Sequence, residues 1–451
     1  MKFTRSLFVS AVTLFALLAG RIEAAAQPTS VNGVAKSYAV SFDVPGAGTG
    51  AYQGTFVDTV NLVGIVTGYY LDESNVYHGF LRSPNGILTT FDAPGADTNP
   101  GDFNGTLPAT INDLGDVVGV YYDISNVGHG FVRNSDGGFV TFDPPGLGSS
   151  GIILHSINLE GSVVGSYLDP GNEYHGFLRK PDGSFTTFEA PGACHGGLSV
   201  GCHGTGAWNI NLFGTIVGAF EDNKGNFVAH TYIRNPDGTF KTFSVPGSSM
   251  QAGQGTLPAV TSGLNDLGAI TGNYYDTNNV FHGFVRKPNG VFIKFEVPGA
   301  DTVDSFYGTF PQSINDLGAI TGFYLDVNGV YHGFLRASNN NFTSFDATGA
   351  DLTAGDFNGT FPTSINLFGT IAGSYVDANS AYHGFLWISC LSGQVCPEKT
   401  SAVDLDRINP NSQSSTDANQ SGRGDRSSVP IQHRLNGRWV HGQPGAKPQS
   451  F

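Results

Sequence analysis

Residues Ser313 to Arg336 read SINDLGAITGFYLDVNGVYHGFLR, and this stretch decides the fold because variants of it recur along the chain. The asparagine at its third position marks every copy: Asn61, Asn112, Asn158, Asn211, Asn265, Asn315 and Asn366. The spacings between these markers are 51, 46, 53, 54, 50 and 51 residues. A period of roughly 50 residues predicts a repeat architecture in which each copy is one structural unit.

Each unit contains four short β-strand signals separated by turn residues. In unit one we expect strand A over residues 55–60, strand B over 65–71, strand C over 76–82 and strand D over 87–91. A Pro-Gly-Ala sequence at residues 94–96 then opens the connection to the next unit. Four antiparallel strands in every ~50 residues are typical of a β-propeller blade.

The seventh unit offers sequences for strands A, B and C, but none for strand D after Trp387. The missing piece stands at the other end of the chain, where residues 41–47 (SFDVPGA) copy the strand D ending of unit one. Closing the ring in this way would leave no unpaired strand edge at the first and last blades. We therefore predict an all-β fold, a seven-bladed β-propeller whose last blade is completed by the N-terminal strand.

The units resemble those of the extracellular HAF-repeat family, secreted bacterial proteins named for a His-Ala-Phe core. The matching tripeptide here is His-Gly-Phe, as at residues 78–80, 332–334 and 383–385. Unit four departs from the pattern, since residues 230–232 read His-Thr-Tyr. The resemblance covers about residues 38–387 and implies secretion and a repeat fold, but it brings no activity and no catalytic residues.

Composition divides the 451 residues into three parts. Residues 1–26 combine Lys2, Arg5, an apolar run and a small-residue end, which predicts a signal peptide and a secreted protein, periplasmic or extracellular. Residues 27–396 are the predicted propeller, and residues 397–451 form a polar tail that we expect to be disordered. No later stretch has the length of a membrane span. We expect a monomer.

Charge excludes one class of partner. The chain has 22 basic and 37 acidic residues, a net charge of −15, which is unsuited to the phosphate contacts of a nucleic-acid-binding protein. Acidic residues gather in the loops predicted for one face, the top, and arginines near the C–D turns of the other. Two interpretations of the acidic top face are open: it attracts calcium or a basic partner, or it is a solvated surface without a ligand. Its weak calcium candidates are Asp102, Asn104, Asp356 and Asn358, which lack a full ligand series.

A histidine recurs on strand C of every unit, with an aspartate six residues before it, eight in unit four. The pairs could be a ring of metal or acid–base sites. Because a single active site needs no seven copies, we interpret them as hydrogen bonds that fix each B–C hairpin.

A variable position is a stronger candidate for function than the repeated ones. Three residues before each marker the units disagree: Asp58, Ala109, His155, Trp208, Ser262, Gln312 and Thr363. This position lies on strand A, next to the predicted central channel, so a varied ring of ligand contacts is one interpretation. The other interpretation is that this position simply tolerates substitution.

The connection between units three and four is the strongest local anomaly, because it contains Cys194-His195 and Cys202-His203. The two pairs could hold zinc, but in an exported protein a Cys194–Cys202 disulfide is the simpler interpretation. Cys390 and Cys396 are expected to form a second disulfide. We expect His155, His195, His203 and Trp208 to meet on the top face, where an exposed Trp208 would stack on a sugar ring or a buried one would fill a gap between strands.

These features favour a binding or interaction module over an enzyme, with a glycan, a cell surface or a protein as partner. Candidate ligand contacts are Asp58, His155, His195, His203, Trp208 and Gln312. The alternative is a hydrolase or lyase at the channel mouth that uses Asp58 and His155 as acid–base groups. A third reading is a structural protein of the envelope or matrix. No cofactor other than calcium is suggested.

Overall fold

The computed structural model describes residues 37–101, 104–148, 151–197, 202–222, 228–251, 253–355 and 358–389. The predicted signal peptide, the polar tail and the Cys390–Cys396 pair lie outside these ranges. Within them, no helix has the length and apolar character that a membrane crossing requires. Residues 38–389 belong to one compact unit.

Every regular element in the described ranges is a β-strand. The strands are β1 (Ser37–Phe42), β2 (Gly54–Val60), β3 (Val66–Leu71), β4 (Tyr77–Arg82), β5 (Leu88–Phe91), β6 (Thr106–Ile111), β7 (Val117–Tyr122), β8 (Gly128–Arg133), β9 (Phe139–Phe142), β10 (Ile152–Ile157), β11 (Val163–Leu168), β12 (Tyr174–Arg179), β13 (Phe185–Phe188), β14 (Thr205–Ile210), β15 (Ile216–Glu221), β16 (Ala229–Arg234), β17 (Phe240–Phe243), β18 (Thr256–Pro258), β19 (Ile270–Tyr275), β20 (Phe281–Arg286), β21 (Phe292–Phe295), β22 (Gly308–Ile314), β23 (Ile320–Leu325), β24 (Tyr331–Arg336), β25 (Phe342–Phe345), β26 (Thr360–Ile365), β27 (Thr370–Val376) and β28 (Tyr382–Ser389).

These strands form four-stranded antiparallel units in the order A-B-C-D, one for each copy of the sequence repeat. The last unit consists of β26, β27 and β28, and its fourth strand is β1, which pairs with β28. The prediction of an all-β propeller closed by the N-terminal strand is therefore confirmed. The boundaries expected for unit one agree with β2 to β5 within one residue.

The marker asparagines connect the units into a closed ring. The side-chain Nδ2 of each donates a hydrogen bond of 2.9–3.3 Å to the backbone oxygen of the next marker, and Asn366 donates to Asn61. The Oδ1 of the same side chain accepts from the backbone N–H four residues later, as at Ile65. One buried amide thus shapes its own A–B turn and joins it to the neighbouring unit.

The arginines at the ends of the C strands also join units. Arg82, for example, lies 5.0 Å above the ring of Phe42 in the preceding unit. The other pairs are Arg133–Phe91, Arg179–Phe142, Arg234–Phe188, Arg286–Phe243 and Arg336–Phe295. In unit seven, Trp387 replaces the arginine and stacks on Phe345 at 5.0 Å. Arg179, Arg234, Arg286 and Arg336 are only 3–8% exposed, so these arginines contribute more to the packing between units than to the charge of the surface.

Each recurrent histidine lies between two polar side chains and against an aromatic ring. In unit one, His78 Nδ1 is 2.9 Å from Asp92 at the end of strand D, and His78 Nε2 is 3.7 Å from Asp72. The ring of Tyr70 stacks on the imidazole at 4.9 Å. The sequence analysis identified the aspartate before the histidine, but the closer partner is the strand D residue, which is Asp, Glu or, in unit four, Ser244. The repeated histidine contacts therefore have a structural role within each unit.

Replacing one marker asparagine should destabilise the whole ring. Asn315→Ala removes the donor to Asn366 and the acceptor for Ala319 at a buried position, so we expect the free energy of unfolding to fall by about 2–4 kcal/mol. Chemical denaturation measures this change. Asn99→Ala, on an exposed loop, is the control; equal losses for both variants would contradict the role of the ring.

The histidines predict how stability depends on pH. The hydrogen bonds that the imidazoles donate to the strand D carboxylates raise the pKa of His78, His175, His332 and His383. At His282, burial lowers the pKa, but the contacts with Glu296 outweigh it.

A raised histidine pKa contributes stability that is present below the unfolded value of about 6.5 and is lost as pH rises through the folded pKa. The free energy of unfolding should therefore fall over the interval that begins near pH 6.5 and extends upward through the folded pKa values, with a smaller slope in His332→Gln. Stability that stays constant or rises over this interval would show that the imidazoles are neutral.

Candidate functional site

The variable position three residues before each marker is a β-bulge. In units one, two, three, four, six and seven the A–B pairing shifts across this residue, as between Leu154 and Ser156 on either side of His155. In unit five, β18 ends at Pro258, and a three-residue insertion precedes the equivalent Ser262. A bulged residue is left out of the ladder and its side chain is redirected. The ring of variable side chains therefore has a structural origin.

The structure separates the predicted contact residues. Asp58 and His155 lie on the inner strands of units one and three, with Ala109 of unit two between them in the ring, so they are not neighbours along it. Gln312 belongs to unit six, where its backbone oxygen accepts from Ser262 N–H at 3.2 Å. His155, Trp208 and His203 do come together in one pocket.

This pocket, called here the unit-four pocket, lies between units three and four and touches unit five. It contains about 20 Å³ of enclosed space, enough for one group of the size of a water molecule. Its lining residues are Ile153, His155, Ser166, Tyr174, His203, Gly204, Gly206, Trp208, Ala219, Phe220, Glu221, Ala229 and Leu257.

Small residues of unit four create the space. Gly206 occupies a strand A position where the other units have Phe, Leu or Ile, and Ala229 begins strand C where most units have Tyr or Phe. The Trp208 indole enters this space, because a Cβ on Gly206 would lie 2.7 Å from Trp208 Nε1. Trp208 packs against Ala219, Ala229 and Leu257.

Trp208 is only 1% exposed, so the expectation of an exposed sugar-stacking ring is wrong and the gap-filling alternative is correct. Its centroid is 6.2 Å from that of His155, which is itself buried at 7% exposure. Among the described residues, Trp208 Nε1 has no hydrogen-bond partner. The wall of the pocket thus presents a buried indole N–H donor.

Glu221 supplies a buried carboxylate that the sequence analysis missed. It ends strand B at a position that holds Leu, Tyr or Val in the other units, and it is 5% exposed. His203 holds both of its oxygens: Nδ1 lies 2.8 Å from Oε1, and the backbone N–H donates to Oε2 at 2.9 Å. A comparison of strand B positions across the units would have revealed the exception.

The predicted Cys194–Cys202 disulfide is present and helps to position this histidine. Cys194 N–H donates to the Glu221 backbone oxygen at 2.7 Å, and Cys202 directly precedes His203. Because both sulfurs form the disulfide, the zinc alternative loses its thiolate ligands. His195 does not line the pocket: its Nδ1 lies 2.5 Å from Glu173 Oε1 and its side chain is 64% exposed.

The top-face acids that are described serve their own loops. Asp97 Oδ2 accepts from Asn104 Nδ2 at 3.2 Å, and Asp351 Oδ2 accepts from Asn358 Nδ2 at 3.0 Å. Asp102 and Asp356 lie outside the described residues. Within those ranges, no three His, Cys, Asp or Glu side chains are grouped so that they could hold a metal ion.

No protein-family profile matches this chain, and no curated protein matches it. Solved structures that it resembles include AofleA from Arthrobotrys oligospora, with 12% identity over 70% of this chain and 92% of that one and a TM-score of 0.40. A fungal lectin from Aleuria aurantia, described as a six-bladed β-propeller, has 13% identity, coverages of 69% and 94% and a TM-score of 0.34. TolB from Acinetobacter baumannii has 13% identity, 63% coverage of both chains and a TM-score of 0.41.

The burial of Trp208 predicts a large effect on stability. Trp208→Ala should lower the free energy of unfolding by about 3–5 kcal/mol, because a cavity would replace the indole among Ala219, Ala229 and Leu257. Gln312→Ala, at the equivalent bulge of unit six, is the control and should cost less than about 1 kcal/mol. Similar losses in denaturant titrations of the two variants would contradict the packing role.

Proposed function

We propose that the protein is a secreted carbohydrate-binding propeller and that the unit-four pocket receives a hydroxyl group of its ligand. One observation carries the proposal: the same small pocket is lined by the buried Glu221 carboxylate and by the unpartnered Trp208 indole N–H. A hydroxyl group donates one hydrogen bond and accepts others, so it complements a carboxylate acceptor together with an N–H donor.

The pocket is large enough for one hydroxyl-sized group of a ligand but too small for a whole sugar ring. About 20 Å³ of enclosed space accommodates one oxygen-sized group, while the rest of a sugar would remain at the opening beside His203. His203 is the more open wall, with 33% of its side chain exposed, and its ring lies 6.5 Å from that of Tyr174. The partly exposed His203 imidazole is a flat ring of the kind that can contact the apolar face of a sugar, whereas Tyr174 is buried behind it.

Because the Glu221 carboxylate and the Trp208 indole N–H are buried, the pocket would be selective for ligands that carry a hydroxyl group. A carboxylate with both oxygens held by His203 cannot turn toward solvent, and an unpaired indole N–H carries a desolvation cost. A ligand hydroxyl would remove that cost, whereas a ligand without one would leave it in place. Such an arrangement supports the binding of a ligand rather than its chemical conversion.

Export fits the same proposal. Residues 1–26 carry the features of a signal peptide, and the Cys194–Cys202 disulfide is suited to an oxidising compartment. We include membership of the extracellular HAF-repeat family in the proposal on the strength of the His-Gly-Phe units.

The test is a glycan array probed with the full chain, with calcium and with a chelator, beside Glu221→Leu and His203→Gln. Each substitution introduces a residue that other units carry at the same position (Leu71 and Gln53), so the fold should be retained. We expect the wild type to bind a restricted set of glycans and both variants to lose at least tenfold in signal.

His195→Gln is the matched control, because this histidine lies in the same disulfide-closed segment but outside the pocket. It should bind as the wild type does. Undiminished binding by Glu221→Leu would exclude the unit-four pocket, and a wild type that binds no glycan would exclude the ligand class.

A further inference from the structure

The face opposite the D–A and B–C loops carries a ring of exposed apolar side chains. They stand at the tips of the A–B turns, two residues after the marker asparagine: Val63, Leu114, Phe213, Leu267, Leu317 and Phe368. Their exposed fractions are 40–66%, and unit three has Glu160 at this position. We call these six residues the turn ring. Exposed apolar side chains that recur on the turns of one face are candidates for an interaction surface.

An acidic group lies inside the turn ring. Asp113, Asp266 and Asp316 each follow a marker asparagine directly, and they accept hydrogen bonds from backbone N–H groups of the preceding unit's turn, at Leu62, Leu212 and Asp266. Burial and the neighbouring Asp316 raise the pKa of Asp266 to about 6. Asp113, from the unit two turn, also contributes to that shift, so the three carboxylates act on one another across the ring.

The chain leaves the described structure beside this surface. In unit seven, Ile388 pairs with Thr370, which follows the turn that carries Phe368, and the description ends at Ser389. The sequence then continues for 62 residues. The roughly 40 residues that separate Ser389 from Ile431 could span more than ~100 Å when extended, so any point on this face is within reach.

One segment of that continuation matches the surface in charge and in apolar content. From Arg426 to the end, the sequence contains four basic residues and no acidic one. Within it, IQHRLNGRWV at residues 431–440 combines Ile431, Leu435, Trp439 and Val440 with Arg434 and Arg438.

We propose that residues 431–440 of the same chain dock on the turn ring, with the apolar side chains against its apolar members and the arginines toward Asp113, Asp266 and Asp316. Covalent attachment favours this occupant over a free partner, because it holds the segment at a high effective concentration beside the surface. The proposal is independent of the proposed function.

Amide hydrogen exchange of the full chain, read by mass spectrometry over residues 429–441, tests the docking. We compare the wild type with Phe213→Glu/Phe368→Glu, a change for which Glu160 is the natural precedent. The control is Ile124→Glu/Val327→Glu, on B–C turns of the opposite face, where these residues are 79% and 71% exposed. Exchange of residues 431–440 should be at least tenfold slower in the wild type and the control than in the turn-ring variant.

A second variant, with substitutions in residues 431–440, tests whether the turn ring and this segment affect each other's exchange directly. Leu435→Ser/Trp439→Ser should speed exchange of the A–B turn amides, with no loss of stability of the strands. Equal exchange of residues 431–440 in the wild type and the turn-ring variant would overturn the proposal. Protection that disappears on dilution would also overturn it, because a second copy and not the same chain would then be the occupant.

Discussion

The closed ring of asparagine amides is the constraint on which the rest of the structure depends. Each side chain is buried and uses both ends, one for its own A–B turn and one for the backbone of the next unit. Because Asn366 returns to Asn61, no unit can shift around the axis without breaking a buried hydrogen bond. These hydrogen bonds fix the ends of the A strands next to the marker asparagines. The β-bulges lie three residues before the asparagines in the chain.

The ring also explains where a binding site can arise. The contacts of the marker asparagines, the arginines and the histidines repeat from unit to unit. A residue that takes part in them is therefore explained by the scaffold. Unit four breaks the pattern with Gly206, Trp208, Glu221 and Ala229, all around one pocket. Glu221 places a buried carboxylate where the other units have Leu, Tyr or Val, and Trp208 leaves a buried indole N–H without a partner among the described residues. Both cost stability that packing alone does not explain. Concentration of such costs in one place is expected of a functional site.

Much of the fold could be predicted because it is local and repeated. The strand order, the turns and the closure by residues 37–42 all follow from the spacing of similar segments. Contacts between units were harder to foresee. The arginines looked like surface charge because their Phe partners belong to the preceding unit, about 40 residues away in sequence. The closer polar partner of each histidine was also missed, because in units one to six it lies at the end of strand D, 14 residues further along the chain.

The site was predicted in part. Variation at one position pointed to His155 and Trp208, and the cysteines pointed to His203, but side-chain burial cannot be inferred from a list of variable residues. Trp208 is buried because Gly206 on the same strand, β14, and Ala229 on β16 make room for it, a combination that no single position reveals. Glu221 becomes apparent only when the last residue of strand B is compared across the units, because the other units have Leu, Tyr or Val there.

We have proposed that unit four keeps the scaffold and that its departures at Gly206, Trp208, Glu221 and Ala229 serve to bind a ligand. The most direct measurement is the glycan-array signal of a chain in which these four positions carry the residues of unit six: Gly206→Phe, Trp208→Gln, Glu221→Leu and Ala229→Tyr. The account predicts a variant that is at least as stable as the wild type in denaturant and has lost glycan binding. A variant that still binds the same glycans would contradict it.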